Sequence, residues 1–284
     1  SPALIRAQMI KDEKLFKDLN LSSLRMICTG GEPWTEKPWK WLFQVIGKSK
    51  VPIMNSAGGT EVSGSILHCC LHRPFKVGSF NAPIPGMSAD ILNLDGKKVS
   101  TNEMGELVMR KSSIGLTKSL WNDDKRYIDN YWSVIEDYWV HGDLASRDAD
   151  GHWYLHGRSD DTIKVSGKRI GPSELESVIV KSGKAKEVAA VGIPDANKGS
   201  KIILSIVPAE NNDQKESFFE DLVIKDLGKS FKPDKVIFVK DLPKTRNMKI
   251  MRRVIKSCLA NQDPGDLSTL LNPESVEEIR SHAI

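Results

Sequence analysis

The chain has 284 residues, 41 Lys/Arg against 37 Asp/Glu for a formal charge of +4, 39% hydrophobic and 27% charged residues. This composition belongs to an ordinary globular protein, excludes disordered and fibrous classes, and by length makes room for two domains. The longest apolar runs, 188–193 and 202–207, have the length of interior strands and fall far short of a bilayer span. The opening Ser1-Pro2-Ala3-Leu4-Ile5-Arg6 has no charged region followed by an apolar core, so no signal peptide is expected; the missing Met points to a longer chain. Four cysteines, Cys28, Cys69, Cys70 and Cys258, include an adjacent pair and no C-x-x-C, which suits reduced thiols and a cytoplasmic location.

Apolar spacing at Ile5, Met9, Ile10 and Leu15 predicts a helix within 3–19, and 24–28 reads as a short buried strand ended by Thr29-Gly30-Gly31. Residues 39–46 then read as a helix closed by Gly47, and 51–54 as a second strand running into a loop over 55–61. Strand, glycine loop, helix, strand, glycine loop is a piece of parallel α/β architecture, in which sites gather beyond the carboxyl ends of the strands. From Val77 to Val108, turn signals at Pro83, Pro85-Gly86, Asp95-Gly96 and Gly105 predict a β subdomain. Residues 140–170 read as two consecutive hairpins, turning at Asp150-Gly151 and at Ser166-Gly167.

A compact α+β segment follows. It opens with a helix started by a capping box, Ser173-Glu174-Leu175-Glu176, and stopped at Gly183. Strands at 188–193 and 202–207, a helix carrying Phe218, Phe219, Leu222 and Val223, a strand at 236–239 and a helix carrying Val254, Ile255 and Cys258 complete it. The expected boundary at Asp160-Asp161 divides an α/β part, 1–159, from an α+β part, 160–262, and 263–284 reads as a loosely held polar tail.

Standard phosphate loops are missing. Gly47-Lys48-Ser49 and Gly228-Lys229-Ser230 are half-matches to a Walker motif and read as helix ends. His68-Cys69-Cys70-Leu71-His72 lacks zinc-knuckle spacing and reads as core packing. More informative are Thr29-Gly30-Gly31-Glu32-Pro33 and Gly58-Gly59-Thr60-Glu61, where bare N–H groups and a hydroxyl could meet a phosphate and a carboxylate could hold Mg²⁺. Gly142-Asp143 sits before a hairpin, and Gly157-Arg158-Ser159-Asp160-Asp161 puts an arginine and two acids at the domain junction, where a carboxylate could accept both hydroxyls of a ribose and the arginine could complete that clamp. Taken singly, each is as readily a turn, and the basic stretch 243–249 as readily a solvated charge run. No basic stripe interleaves with exposed aromatics, so nucleic acid is not expected as a partner.

In order along the chain stand Thr29-Gly30-Gly31-Glu32-Pro33, Gly59-Thr60-Glu61, Gly142-Asp143-Leu144-Ala145, the stretch from Gly157-Arg158-Ser159-Asp160-Asp161 through Ser166-Gly167-Lys168-Arg169 to Glu176, and Pro243-Lys244-Thr245-Arg246-Asn247-Met248-Lys249. This series resembles the AMP-forming acyl-CoA synthetases of the adenylate-forming enzymes, nearest to the acetyl-CoA synthetases and their short- and medium-chain relatives. The resemblance covers about Ser1 to Ala260. It implies the C-terminal part of a large AMP-binding domain, with parallel sheet layers and a β subdomain, followed by a small mobile α+β domain.

The implied chemistry joins a carboxylic acid to ATP with Mg²⁺, giving acyl-adenylate and pyrophosphate, and then transfers the acyl group to coenzyme A. By matched position, Gly31, Glu32 and Pro33 lie along the adenine with Asn55 and Ser56 at its edge. Thr60 meets the α-phosphate, Glu61 holds Mg²⁺, Asp143 takes the ribose hydroxyls, and Arg158 supports them. Lys249 is the catalytic lysine between carboxylate and α-phosphate. Asp160 is the hinge of the small domain, Gly167 lines the pantetheine path, and Arg169 faces the adenylate phosphate.

Departures from the family pattern carry expectations of their own. Gly58 stands where acetyl-CoA synthetases have an acyl-capping tryptophan, which implies a deeper acyl pocket. Asn247-Met248 replaces the usual Ser-Gly before the lysine, and His141 replaces a common threonine. The family's upstream Ser/Thr/Gly-rich loop has no counterpart, so the chain is expected to be a fragment that forms little or no acyl-adenylate alone. An adenylating ligase that loads a carrier protein, or a noncatalytic nucleotide-binding module, are the alternative readings.

Overall fold

A computed structural model describes residues 2–9, 16, 19–210 and 213–284. The chain divides into two compact units, Ser1–Ser159 and Asp160–Ile284.

In the first unit, α1 (Pro2–Met9) lies within the expected first helix, whose continuation through 10–15 and 17–18 is outside the described residues. Strand β1 (Ile27–Gly30) pairs in parallel with β2 (Ile53–Gly59). Between them, α2 (Glu36–Trp41) runs on into a π-helical turn, Leu42–Ile46, that ends at Gly47. The apolar faces of Trp39, Trp41, Leu42 and Ile53 close a local core.

Both strands differ from the sequence expectation. Thr29-Gly30 continues β1 instead of ending it, and residues 55–59, expected as a loop, are the second half of β2. The cause is pairing on both edges: β2 bonds β1 on one side and β3 (Gly64–His68) antiparallel on the other, and β4 (Ala82–Pro83) pairs with β3. The sheet is therefore mixed, with only β1 and β2 parallel. Beside it, β5 (Ala89–Leu92), β6 (Gly105–Met109), β7 (Trp139–Arg147) and β8 (Trp153–Arg158) form an antiparallel meander. A bridge between Phe80 and Trp153 ties the meander to the segment before β4. Between β6 and β7, α3 (Asp124–Tyr127) continues as a second π-helical turn, Ile128–Trp132.

The second unit is built on β11 (Ala185–Asp195), β12 (Gly199–Pro208) and β13 (Lys235–Phe238), with β12 in the middle. Alternation on β12 explains why apolar residues stand on both of its faces, interrupted by the buried Ser205. Ile202, Leu204 and Ile206 face one hydrophobic layer, and Ile203 and Val207 the other. The first layer packs under α4 (Pro172–Lys181), α5 (Glu216–Leu227) and the hairpin of β9 (Ile163–Val165) and β10 (Lys168–Ile170). The second packs under α6 (Arg252–Leu259) and α7 (Glu274–Arg280).

Two expectations need correction here. The N-cap of α4 is Gly171 and not Ser173: the Gly171 N–H donates to the Glu174 carboxylate at 3.0 Å, so the Pro172 ring opens the helix. Segment 263–284 is not a loose tail. Val276 and Ile279, three apart on α7, are buried in the second layer, each side chain stabilising the fold by roughly 1.5–3 kcal/mol. Cys69, buried, and Cys70, half-buried, lie just beyond the end of β3. Among the described residues, no helix is long and apolar enough to cross a membrane.

Candidate active site

In the first unit, β2 organises the candidate residues. Gly30 lies opposite Ser56 and Thr29 opposite Asn55, and the Ser56 hydroxyl donates to the Thr29 carbonyl at 3.1 Å. Asn55 is 2% exposed; its amide N–H reaches the Gly78 carbonyl at 3.5 Å, while its Oδ1 is buried without a hydrogen-bond partner. Gly31-Glu32-Pro33 leaves β1 directly beside this pair, so the segment matched to adenine binding and the edge residues Asn55 and Ser56 share one end of the sheet.

Directly past the C-terminal end of β2, residues 60–62 form a single 3₁₀ turn that carries Glu61. The Tyr131 hydroxyl donates to Glu61 Oε1 at 2.9 Å. Burial and the neighbouring Glu61 charge push the Tyr131 hydroxyl up to about 12, so it remains a donor across the working pH range. Its ring stacks on Trp139 at 5.3 Å with 5° between planes, and Trp139 in turn meets His141 at 5.5 Å. Glu61 and His141 both fold over Gly59, where a Cβ would lie 2.7 Å from Glu61 Oε2 and 3.2 Å from His141 Cε1.

The ribose candidates follow on β7 and β8. Asp143 and Arg158 are directly paired across the strands. His141 Nε2 lies 3.3 Å from Asp143 Oδ2; Arg158 Nη1 lies 3.8 Å from Asp143 Oδ1 and donates to the His141 carbonyl at 3.0 Å. Gly142, at φ +81°, lets the guanidinium cross the strand, since a Cβ there would sit 2.7 Å from Arg158 Nη2. Asp143 is thus flanked by a histidine at one oxygen and an arginine at the other, with His141 Nδ1 buried and unpartnered.

Sequence reasoning missed Tyr131 and Trp139 and had no account of His141. Their only sequence signal is the i,i+4 pair Tyr127 and Tyr131 ahead of an aromatic strand. Gly58 lies directly against β3: a Cβ there would lie 2.1 Å from the Gly64 carbonyl oxygen and 2.6 Å from Ser65 Cα.

The second unit carries the remaining candidates. Ser166 and Gly167, both at positive φ, turn the β9–β10 hairpin and leave Lys168 and Arg169 exposed on its second strand. Asp160 begins the unit. Lys249 is exposed at the foot of a tight turn in which the Thr245 N–H donates to the Lys249 carbonyl at 2.9 Å and the Lys249 N–H to Thr245 Oγ1 at 3.2 Å. Met248 occupies left-handed backbone at φ +64°, which accounts for the glycine usual in the family at this position.

Comparison with known proteins bears on the family of the chain. Residues 1–121 match the AMP-binding enzyme family, and residues 174–249 match the AMP-binding enzyme C-terminal domain, a match that ends on Lys249. The acetyl-coenzyme A synthetase of Methanothrix thermoacetophila is 36% identical over 98% of this chain and 43% of its own length. That of Helicobacter pylori strain P12 is 38% identical over 99% of this chain and 44% of its own length. The chain therefore spans less than half the length of these curated relatives.

Among solved structures, an anthranilate CoA ligase in complex with anthranoyl-AMP superposes with a TM-score of 0.73 at 26% identity, over 88% of this chain and 47% of that one. An acetoacetyl-CoA synthetase from Streptomyces lividans shares the fold, with a TM-score of 0.82 at 23% identity over 99% of this chain and 44% of that one. Two domain matches from one kind of enzyme, in their proper order, and relatives matched along nearly the whole chain lead to one conclusion: the chain belongs to the AMP-binding enzyme family.

Proposed function

We propose that the protein is part of an AMP-forming acyl-CoA synthetase, which activates a short- or medium-chain carboxylic acid with ATP and passes the acyl group to coenzyme A. The observation that carries this reading is the joint placement of Glu61, His141, Asp143 and Arg158 around the end of β2, with Asn55 Oδ1 and His141 Nδ1 buried and unpartnered. Buried polar atoms without partners are costly unless something else satisfies them, and a nucleotide offers both donors and acceptors.

In this reading the purine lies along Gly31-Glu32-Pro33, with the Asn55 carbonyl oxygen accepting from its amino group and Ser56 beside it. Asp143 accepts from the ribose hydroxyls; His141 and Arg158 keep both of its oxygens aimed. Thr60 donates to the α-phosphate. Among the described residues no group of three or more His, Cys, Asp or Glu can cage a metal. Mg²⁺ fits here as it does in other phosphate-transfer sites, held by one carboxylate, Glu61, together with substrate phosphates, where it neutralises phosphate charge. Tyr131 orients that carboxylate by occupying its other oxygen.

Adenylation brings a carboxylate oxygen onto the α-phosphorus with loss of pyrophosphate, so two anions must approach. The Lys249 ammonium lowers the cost of that encounter, and acyl transfer then exchanges the adenylate's mixed anhydride for a thioester with release of AMP. Gly167 and Arg169 serve this second step, with Asp160 as the pivot. The four unpaired cysteines fit a reducing compartment such as the cytoplasm.

The test is ATP/pyrophosphate exchange with carboxylic acids of increasing chain length, followed by single-turnover transfer to coenzyme A or to a carrier protein. A longer version of the protein that includes the family's upstream Ser/Thr/Gly-rich loop should exchange only when acid is present and transfer to coenzyme A, while this chain alone should exchange little or none. Transfer to a carrier only, or acid-independent exchange, would overturn the assignment.

A further inference from the structure

The Lys249 turn is anchored by a buried polar network that nothing in the reaction requires to be there. Lys244 is a charged residue only 5% exposed. Its ammonium contacts Asp241 Oδ1 and Glu187 Oε2, each at 2.6 Å. Burial alone would pull the Lys244 ammonium towards neutrality, but the two carboxylates more than offset it and hold the group above the ordinary lysine range. Asn272, from the segment after α6, completes the network with both amide N–H groups and its oxygen engaged. Its Oδ1 accepts from the Lys244 N–H at 3.0 Å, and its Nδ2 donates to Asp241 Oδ2 at 2.7 Å and to the Leu242 carbonyl at 2.8 Å.

The same segment holds the turn by backbone. The Leu271 N–H donates to the Lys244 carbonyl at 2.8 Å, Thr245 bridges Leu270, and Lys244 bridges Ile250 across the foot of the turn. Ser275, 1% exposed, donates to the Asn272 carbonyl at 2.6 Å and seats it on α7. Residue 244 is thus held at three points: its amide and carbonyl by 271–272, and its side chain by β11 and Asp241. Lys249 lies on the opposite arm of the turn from it, next to the strained Met248. A turn with a left-handed methionine keeps its shape only if its base is fixed.

We propose that Lys244 and Asn272 are positioning residues that lock the Lys249 turn to the β11 strand and the C-terminal segment, so that residues 263–284 form a brace for the lysine. The proposal rests on the reading of Lys249 as the adenylation lysine only for its effect on rate. The geometry of the lock stands apart from it.

The experiment is hydrogen exchange on this chain, comparing wild type with Asn272→Ala, Asn272→Asp, Lys244→Met and Lys244→Arg. Exchange at amides 244–249 should rise roughly 10- to 100-fold in Asn272→Ala and Lys244→Met, while the centres of β11 and β12 stay protected. Lys244→Arg, which keeps the charge, should recover most of the protection, and Asn272→Asp should recover less, because it places a third carboxylate beside Asp241. Unchanged exchange in the turn, or uniform loss across the whole unit, would overturn the lock.

In the longer version, Asn272→Ala should lower kcat for ATP/pyrophosphate exchange about tenfold with KM for ATP nearly unchanged, beside Lys249→Gln as the control. A lost lock with no rate effect in either variant refutes the role of Lys249 and leaves the lock intact. An effect of Lys249→Gln without one of Asn272→Ala refutes the rate consequence of the lock.

Discussion

Replacing Lys249 by glutamine is expected to lower acid-dependent ATP/pyrophosphate exchange roughly 10²- to 10³-fold, the usual loss when one preorganised charge is removed from a developing anionic centre. The side chain is exposed on its turn and is not seated in either hydrophobic layer, so stability and the exchange protection of β11 and β12 should be unchanged. The measured split should fall on kcat, because in the proposed reaction the ammonium acts where the carboxylate meets the α-phosphate and contributes less to holding ATP in the ground state. Transfer of acyl from a preformed acyl-adenylate to coenzyme A should be far less sensitive to the change, since that step does not bring two anions together in the same way. A parallel loss in both half-reactions would show that Lys249 supports the fold of the unit and not the chemistry.

The second large effect lies at Gly58 and is structural. Alanine would place its methyl carbon 2.1 Å from the Gly64 carbonyl oxygen and 2.6 Å from Ser65 Cα, both backbone, so no side-chain movement can relieve the overlap. Strands β2 and β3 would have to separate where their register already shifts, between Ala57 and Gly58. Overpacking against backbone costs about 3 kcal/mol or more, which corresponds to a fall of roughly 6–12 °C in Tm for a unit of this size. Gly31→Ala is the natural comparison. It meets nothing within 4 Å and has only its positive φ to oppose it, so its cost should stay near 1 kcal/mol. Calorimetry on the two variants separates overlap from strain, and equal shifts would show that β3 does not abut Gly58 as described.

What was legible in the sequence depended on local pattern. Residues 202–207 could be read as a strand buried on both faces because apolar side chains fall at both odd and even positions, as they do when helices cover both sides, and Ser205 is the one polar residue among them. The hairpin turns at 150–151 and 166–167 were legible because their residues carry the required backbone conformation themselves. Long-range contacts left no such trace. Tyr131 reaches Glu61 across 70 residues of chain, and its role follows from a π-helical turn that no spacing rule announces. The brace from 263–284 was hidden for a related reason: Val276 and Ile279 are two apolar residues in a polar stretch, and Asn272 looks like any loop asparagine until Lys244 is placed beside it. The second half of β2 was taken for a loop because two glycines usually break a strand. Here they allow β3 to approach closely enough to pair.

The ordered motifs located the candidate residues, and the structure supplied the relations among them. Asp143 and Arg158 are fifteen positions apart in sequence and directly opposite on β7 and β8. His141, an unexplained departure in the sequence, is the residue that flanks the second oxygen of Asp143.

Equilibrium binding of AMP to this chain, followed by calorimetry, tests most directly whether the cluster around the end of β2 is a nucleotide site. Saturable binding with a dissociation constant at or below about 1 mM is expected, weakened at least about tenfold by Asp143→Ala. No saturable binding, or equal affinity in the Asp143→Ala variant, would contradict the account.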